Sequence, residues 1–146
     1  MTKDVLLKIS GLHADVDSDE PVELITAADY FMKNDKHYIV YTEPAAEGME
    51  EVKNTIKISK NRIDVIKHGG QDTHMVFEPY KKNVSCYNTP VGNLVIGVHT
   101  LNIELDEQEH SIAAKIDYAL EINDQHVSDC AISMDIQSKS HAQLKL

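Results

Sequence analysis

The sequence lacks tryptophan altogether and contains a single arginine, Arg62, two cysteines, six tyrosines and two phenylalanines. One arginine cannot build the clusters that grip phosphate groups bidentately. The 24 acidic side chains outnumber the 14 basic ones, and the resulting net charge of −10 repels polyanions. The composition therefore argues against nucleic acid and anionic membranes as partners.

Long hydrophobic runs are also missing. The first twenty residues contain only the short apolar run Val5–Leu7, whereas a signal peptide needs a longer one and a membrane helix needs about 20 residues. Cys86 and Cys130 stand apart with no C-x-x-C motif, so reduced core thiols are favoured over a single disulfide. These observations predict a cytoplasmic protein without a metal or cofactor.

What the chain does contain is apolar–polar alternation with a period of two, the pattern of half-buried strands. It recurs between turn signals, with no linker or repeat, so residues 1–146 are expected to form one domain. The sequence predicts an all-β domain of 8–10 antiparallel strands, either a barrel or a sandwich. The predicted strands are 4–13, 21–33, 36–43, 51–59, 62–68, 73–78, 83–89, 93–105, 111–122 and 126–137.

Matching the apolar faces fixes two hairpin registers, because residues opposite each other share a face. A two-residue turn at Lys60-Asn61 places Ile58 opposite Ile63. In the last hairpin, a simple Asn123-Asp124 turn would set Tyr118 opposite Asp129 and expose the apolar set that follows. A three-residue loop, or an equivalent bulge, is therefore predicted, and it places Tyr118 opposite Cys130.

The strand GNLVIGVHTLNIELD changes phase partway along its length. Its apolar residues occupy one face up to Val98 and the opposite face from Leu101 onward. An inserted residue near His99-Thr100 would return all of them to one inner face, as β-bulges do where long strands bend around barrels. This feature favours a closed up-and-down barrel over a sandwich.

Three further stretches then resemble a known family. ADYFMKNDKHYIVYTE (28–43), the run from Gly48 to Ser59 and TPVGNLVIGVHT (89–100), with the closing hairpin, are similar to the DUF1934 (YwiB-like) family of small bacterial proteins. The resemblance covers nearly the whole chain and implies a calycin-type, lipocalin-like barrel. It implies no activity and no site residues. The lack of tryptophan removes the Gly-x-Trp motif usual in lipocalins, so secreted lipophile transport is not implied.

Inward-facing residues are the first candidates for a site. An interior of eight or more strands either is filled by its side chains or holds one small ligand. Tyr118 is the most suggestive candidate, because a buried hydroxyl needs a partner. The predicted ligand-lining set is Tyr118, Met75, Phe77, Tyr87, Leu101, Ile116 and Met134.

Metal and catalytic chemistry are less favoured. A five-residue loop would set His68 and His74 face to face, whereas a two-residue Gly69-Gly70 turn would separate them. No third ligand follows at a recognised spacing in either case. No nucleophile or metalloprotease motif is present. Convergence of Ser85, Cys86, His99 and Asp129 would be a coincidence of alternating strands.

The sequence thus supports three functional hypotheses. The first is a cytoplasmic β-barrel protein that binds a small, mainly apolar ligand in the barrel interior. The alternative is a non-catalytic protein-interaction or scaffold domain with a filled barrel, acting through its surface or as a homodimer. An enzyme is the third and least favoured.

Overall fold

The computed structural model describes residues 3–11, 23–43, 48, 51–69, 72–89 and 92–139, without the side chains of residues 87–89. The described residues form ten strands and contain no helix long and apolar enough to cross a membrane. The strands are β1 (Asp4–Ser10), β2 (Glu23–Lys33), β3 (Lys36–Glu43), β4 (Val52–Ser59), β5 (Arg62–His68), β6 (Thr73–Phe77), β7 (Lys82–Thr89), β8 (Gly92–Glu107), β9 (Ser111–Ile122) and β10 (Gln125–Ser138).

The strands form an up-and-down antiparallel barrel that is nearly closed. The sheet order is β6-β5-β4-β3-β2-β1-β10-β9-β8-β7, so the first and last strands pair, with Val5 opposite Ser138. Strands β6 and β7 are the two edges; no described residues form a ladder between them, and the Ser85 hydroxyl donates to the His74 carbonyl across this seam (3.2 Å). The prediction of an all-β antiparallel barrel is confirmed.

The last hairpin combines a tight turn with a bulge. Asn123 and Asp124 both have positive φ angles, 51° and 63°, as a two-residue type I′ turn requires. The register then shifts between His126 and Ser128, which places Cys130 opposite Tyr118. The predicted pairing of Tyr118 with Cys130 is confirmed, and it results from this bulge. The β4–β5 pairing of Ile58 with Ile63 is confirmed as well.

The predicted bulge in β8 exists, but it lies slightly further along the strand. The register shifts between Thr100, opposite Tyr118, and Asn102, opposite Asp117. Leu101 is therefore the extra residue itself, and its side chain is 46% exposed. The prediction that Leu101 faces inward is wrong. It assumed that the inserted residue lies at positions 99–100, and that assumption assigned Leu101 to the inner face. Thr100, fully buried, takes that place.

Two local predictions near the seam are also wrong. Lys67 pairs with Thr73 and Ile66 with His74, so the link between β5 and β6 is longer than a two-residue turn. Both cysteines are free, as expected, but Cys86 is exposed and only Cys130 lies in the core. Cys86 follows Ser85, whose cross-strand partner Ile96 packs against the core, so alternation turns Cys86 outward.

Candidate functional site

The middle of the barrel is packed with the predicted lining residues. Phe77, Ile116, Tyr118 and Met134 are each at most 2% exposed, and Met75 is partly buried against them. Leu101 points outward, and the side chain of Tyr87 lies outside the described residues. The structure therefore brings most of the set together as a filled core, rather than as the wall of an open cavity.

Tyr118 stabilises this core from its centre. Its ring meets Phe77 edge-on, with 5.1 Å between centroids, which connects β9 to the edge strand β6. Burial, followed by the nearby Cys130 thiol, raises the pKa of the Tyr118 hydroxyl, which stays protonated at neutral pH. The Cys130 sulfur lies 3.1 Å from the Ser128 hydroxyl. The Tyr118 hydroxyl, the Cys130 thiol and the Ser128 hydroxyl thus form one group of polar contacts.

Open space lies instead at one end of the barrel, which we call the His37 end. A cavity of about 860 Å³ opens there beside the Asn34-Asp35 and Lys60-Asn61 turns. Ile103 and Leu105, which the β8 bulge returns to the inner face, form an apolar wall. The cavity is lined by Met32, Asp35, His37, Lys60, Asn61, Ile103, Leu105 and Glu107.

A chain of hydrogen bonds spans the His37 end. His37 Nε2 lies 3.1 Å from Glu107 Oε1, and His37 Nδ1 lies 2.7 Å from the Tyr30 hydroxyl. Because a carboxylate only accepts, Nε2 donates to Glu107, and in the neutral ring Nδ1 accepts from Tyr30. Burial, followed by the charge of Glu107, raises the pKa of Tyr30, which keeps the hydroxyl a donor.

This chain connects opposite walls of the barrel. Four strands separate β3 from β8 in either direction around the ring, so the His37–Glu107 contact crosses the opening. The His37 side chain is 11% exposed and that of Glu107 is 51% exposed. We call Tyr30, His37 and Glu107 the strap. It places a carboxylate and an imidazole at the edge of a cavity that has an apolar wall on one side.

Sequence reasoning missed the strap, although one signal for it was present. His37 precedes Ile39 and Tyr41 at alternate positions of β3, so the same period that identified inward residues assigns it inward. Its partner Glu107 is 70 positions away, and a contact between opposite strands leaves no periodic trace.

The other clusters near the seam are networks of charged side chains on the outer face of the barrel. Burial alone would raise the pKa of Asp64, but hydrogen bonds from Arg62 and His74 outweigh it and lower this pKa. His68 contacts Asp72 instead (3.3 Å). Within the described ranges no three potential metal ligands come together.

Among the described residues, the four residues considered for catalysis do not hydrogen-bond to one another, although His99 and Asp129 are both cross-strand neighbours of Ala119. Asp129 bonds to His126 (2.9 Å), and Ser85 bonds to the backbone of β6. His99 lies opposite Lys82 and Ala119.

The fold and the strap define a class: a nearly closed ten-stranded antiparallel β-barrel with an open cavity at one end. The sequence profile of DUF1934, a domain of unknown function, matches residues 7–134, so the chain belongs to this family. The chain is 22% identical over 138 residues to the "uncharacterized beta-barrel protein YwiB" of Bacillus subtilis (strain 168). This alignment covers 94% of the chain and 96% of that protein.

The fold also matches a solved structure. The crystal structure of ywiB protein from Bacillus subtilis superposes with a TM-score of 0.74 at 21% identity, covering 93% of this chain and 92% of the other. At this identity the likeness shows a shared barrel fold.

Proposed function

We propose that the protein binds a small amphipathic molecule at the His37 end of the barrel. The observation that carries the proposal is the cavity of about 860 Å³, which has an apolar wall on one side and the strap on another. Ligand sites are typically concave and combine apolar surface with placed polar groups, and this cavity has both. The proposed ligand thus differs from the mainly apolar, interior ligand that the sequence predicts. It is bound at the end of the barrel, and one end of it is polar.

The strap indicates the polar group that such a ligand carries. Glu107 uses Oε1 to accept from His37, and no described residue hydrogen-bonds to its other oxygen. A carboxylate oxygen at the edge of a cavity accepts from a hydroxyl or an amine. The apolar body of the ligand would contact Ile103, Leu105 and Met32.

Three six-carbon probes test this proposal. Hexanol and hexylamine each carry a hydrogen-bond donor at the end of a six-carbon chain, whereas hexanoate carries a negative charge there. We expect saturable binding of the first two in calorimetric or NMR titrations, and weaker binding of hexanoate. Glu107→Gln should weaken hexylamine most.

Glu104 provides a matched control. It lies on the outer face of the same strand, opposite Lys115, and is exposed. Glu104→Gln should leave binding unchanged. Absence of saturable binding by all three probes, or equal loss in both variants, would overturn the proposal.

A second candidate function is a protein-interaction domain, and one surface feature favours it. Phe31 stacks on Tyr38 on the outer face of β2 and β3, with centroids 4.8 Å apart and the rings 8° from parallel. The Lys57 ammonium lies 5.5 Å from the Tyr38 ring. Phe31 is 45% exposed, so this stack could meet a partner or a second copy. Sedimentation of wild type and Phe31→Ser would show self-association that depends on the stack.

We also propose a cytoplasmic location. Free Cys86 on the surface and free Cys130 in the core support it, because oxidising compartments favour paired cysteines. Thiol titration after cell fractionation tests it: two free thiols in the cytoplasmic fraction are expected, and an oxidised exported protein would contradict it.

A further inference from the structure

Asn54 presents a polar group inside the barrel, far from the strap. It lies near the start of β4, at the end of that strand opposite the Lys60-Asn61 turn, and is fully buried. Neither Oδ1 nor Nδ2 of its carboxamide has a hydrogen-bond partner among the described residues. Buried amides are nearly always hydrogen-bonded, because a lost bond to water must be replaced. Both atoms of this amide are therefore available to a bound molecule.

The residues around Asn54 supply further polar groups. Its cross-strand neighbours are Tyr41 on β3 and Lys67 on β5, which share the inner face with it. Burial, followed by the charge of Glu43, raises the pKa of Tyr41 to about 12, so its hydroxyl is a neutral donor at physiological pH. The Lys67 ammonium lies 3.9 Å from a Glu43 oxygen, and the two form an ion pair.

An opening in the barrel wall lies beside Tyr41. Strands β2 and β3 pair from Lys33–Lys36 only as far as Asp29–Val40. Beyond that pair lies a cavity of about 280 Å³ between the two strands, and its lining includes the inward-facing Ala28 and Tyr41. Tyr41 thus lies between the opening and Asn54.

We propose that Asn54 and Tyr41 form a second binding site, for an uncharged planar group with adjacent donor and acceptor atoms. Primary amides and the lactam edges of nitrogen heterocycles have this chemistry, and they match the two unused atoms of the carboxamide. The Lys67–Glu43 ion pair has no net charge, and we therefore expect a neutral ligand rather than a carboxylate or an ammonium. The site is independent of the His37 end.

Thr100 provides an internal comparison. Its side chain is also fully buried, and its hydroxyl also has no partner among the described residues. It lies on β8, opposite Tyr118, and cannot offer an adjacent donor and acceptor pair. Thr100→Val therefore removes one buried unpartnered hydroxyl from the same interior without altering the proposed site.

NMR titration of the full chain tests the proposal through the side-chain amide signals of Asn54. Acetamide and 2-pyrrolidone should shift them saturably, whereas N,N-dimethylacetamide, which has no donor, should not. Asn54→Leu should weaken 2-pyrrolidone binding by about tenfold or more, because both hydrogen bonds are lost. Thr100→Val and Glu107→Gln should bind as wild type does.

Three outcomes would overturn the proposal. The first is that no probe shifts the Asn54 amide signals saturably. The second is that Thr100→Val weakens 2-pyrrolidone binding as much as Asn54→Leu does. The third is that the amide signals show contact with resident water only. Asn54→Leu should fold, since it removes an unmatched group. If Asn54→Leu does not fold, Tyr41→Phe serves as the test variant in its place, and it should weaken 2-pyrrolidone binding severalfold. Because Glu107→Gln affects only the His37 end, failure here is distinguishable from failure of the proposed function.

Discussion

The middle of the barrel and its His37 end share one set of inward-facing positions but differ in how fully those positions are packed. Ile116 and Ile103 are cross-strand partners on β9 and β8, yet Ile116 is 1% exposed and Ile103 is only partly buried and lines the cavity. Alternation along a strand determines which side chains face inward. Whether they meet others there depends on the side chains arriving from distant strands.

The largest expected difference between the two regions is in stability. Ile116→Ala should lower the free energy of unfolding by about 2–5 kcal/mol, because it leaves a cavity in a packed core. Ile103→Ala should cost less than about 2 kcal/mol, since part of this side chain already faces open space. Urea denaturation of both variants measures the difference. Equal losses would mean that the His37 end is as tightly packed as the middle.

A smaller effect is expected from a polar change within the packed middle. Tyr118→Phe keeps the ring against Phe77 but removes the hydroxyl that interacts with Cys130. It should cost about 1 kcal/mol, the typical net value of one buried hydrogen bond. Tyr80 is 82% exposed, so Tyr80→Phe serves as the control and should change nothing measurable. Thermal unfolding would show whether the central hydroxyl contributes.

At the His37 end, weakening the strap should cost still less. Glu107→Gln removes the charge from a pair in which the Glu107 side chain is 51% exposed, so we expect a loss below about 1 kcal/mol. Glu104→Gln on the outer face should be neutral. A loss comparable to that of Ile116→Ala would show that the strap supports the whole barrel, and not only its opening.

The smallest effect is expected at the bulge. Leu101→Gln should stay within about 0.5 kcal/mol, as surface substitutions usually do, because this leucine faces solvent. Equilibrium denaturation beside Ile103→Ala checks it. A loss as large as that of Ile103→Ala would place Leu101 inside the barrel and move the bulge to another residue.

Much of the fold could be predicted from the sequence, because period-two alternation and face matching are local rules. The two-residue turn before β5 and the bulged hairpin after β9 both followed from keeping apolar residues on one face. The bulge in β8 was predicted one residue too early, because moving a bulge by one residue along a strand leaves most of the same side chains on the inner face. The outward turn of Cys86 shows the same limit near a sheet edge.

The candidate sites were much less predictable. His37 and Glu107 meet across the barrel, and Asn54 is notable only for partners that it lacks. Neither property is visible in local spacing. Both depend on where along the barrel axis each inward residue lies, and that follows from the stagger of all ten strands together.

The seam between β6 and β7 gives the chain an unusual connectivity. These strands follow each other in sequence without forming a ladder, whereas β1 and β10, at opposite ends of the described chain, pair closely. Wall closure therefore depends on the most distant contact in the sequence, a high contact order that slows folding. A circular permutant that joins the ends of β10 and β1 and begins between β6 and β7 would make this contact local. No ladder between strands would be cut.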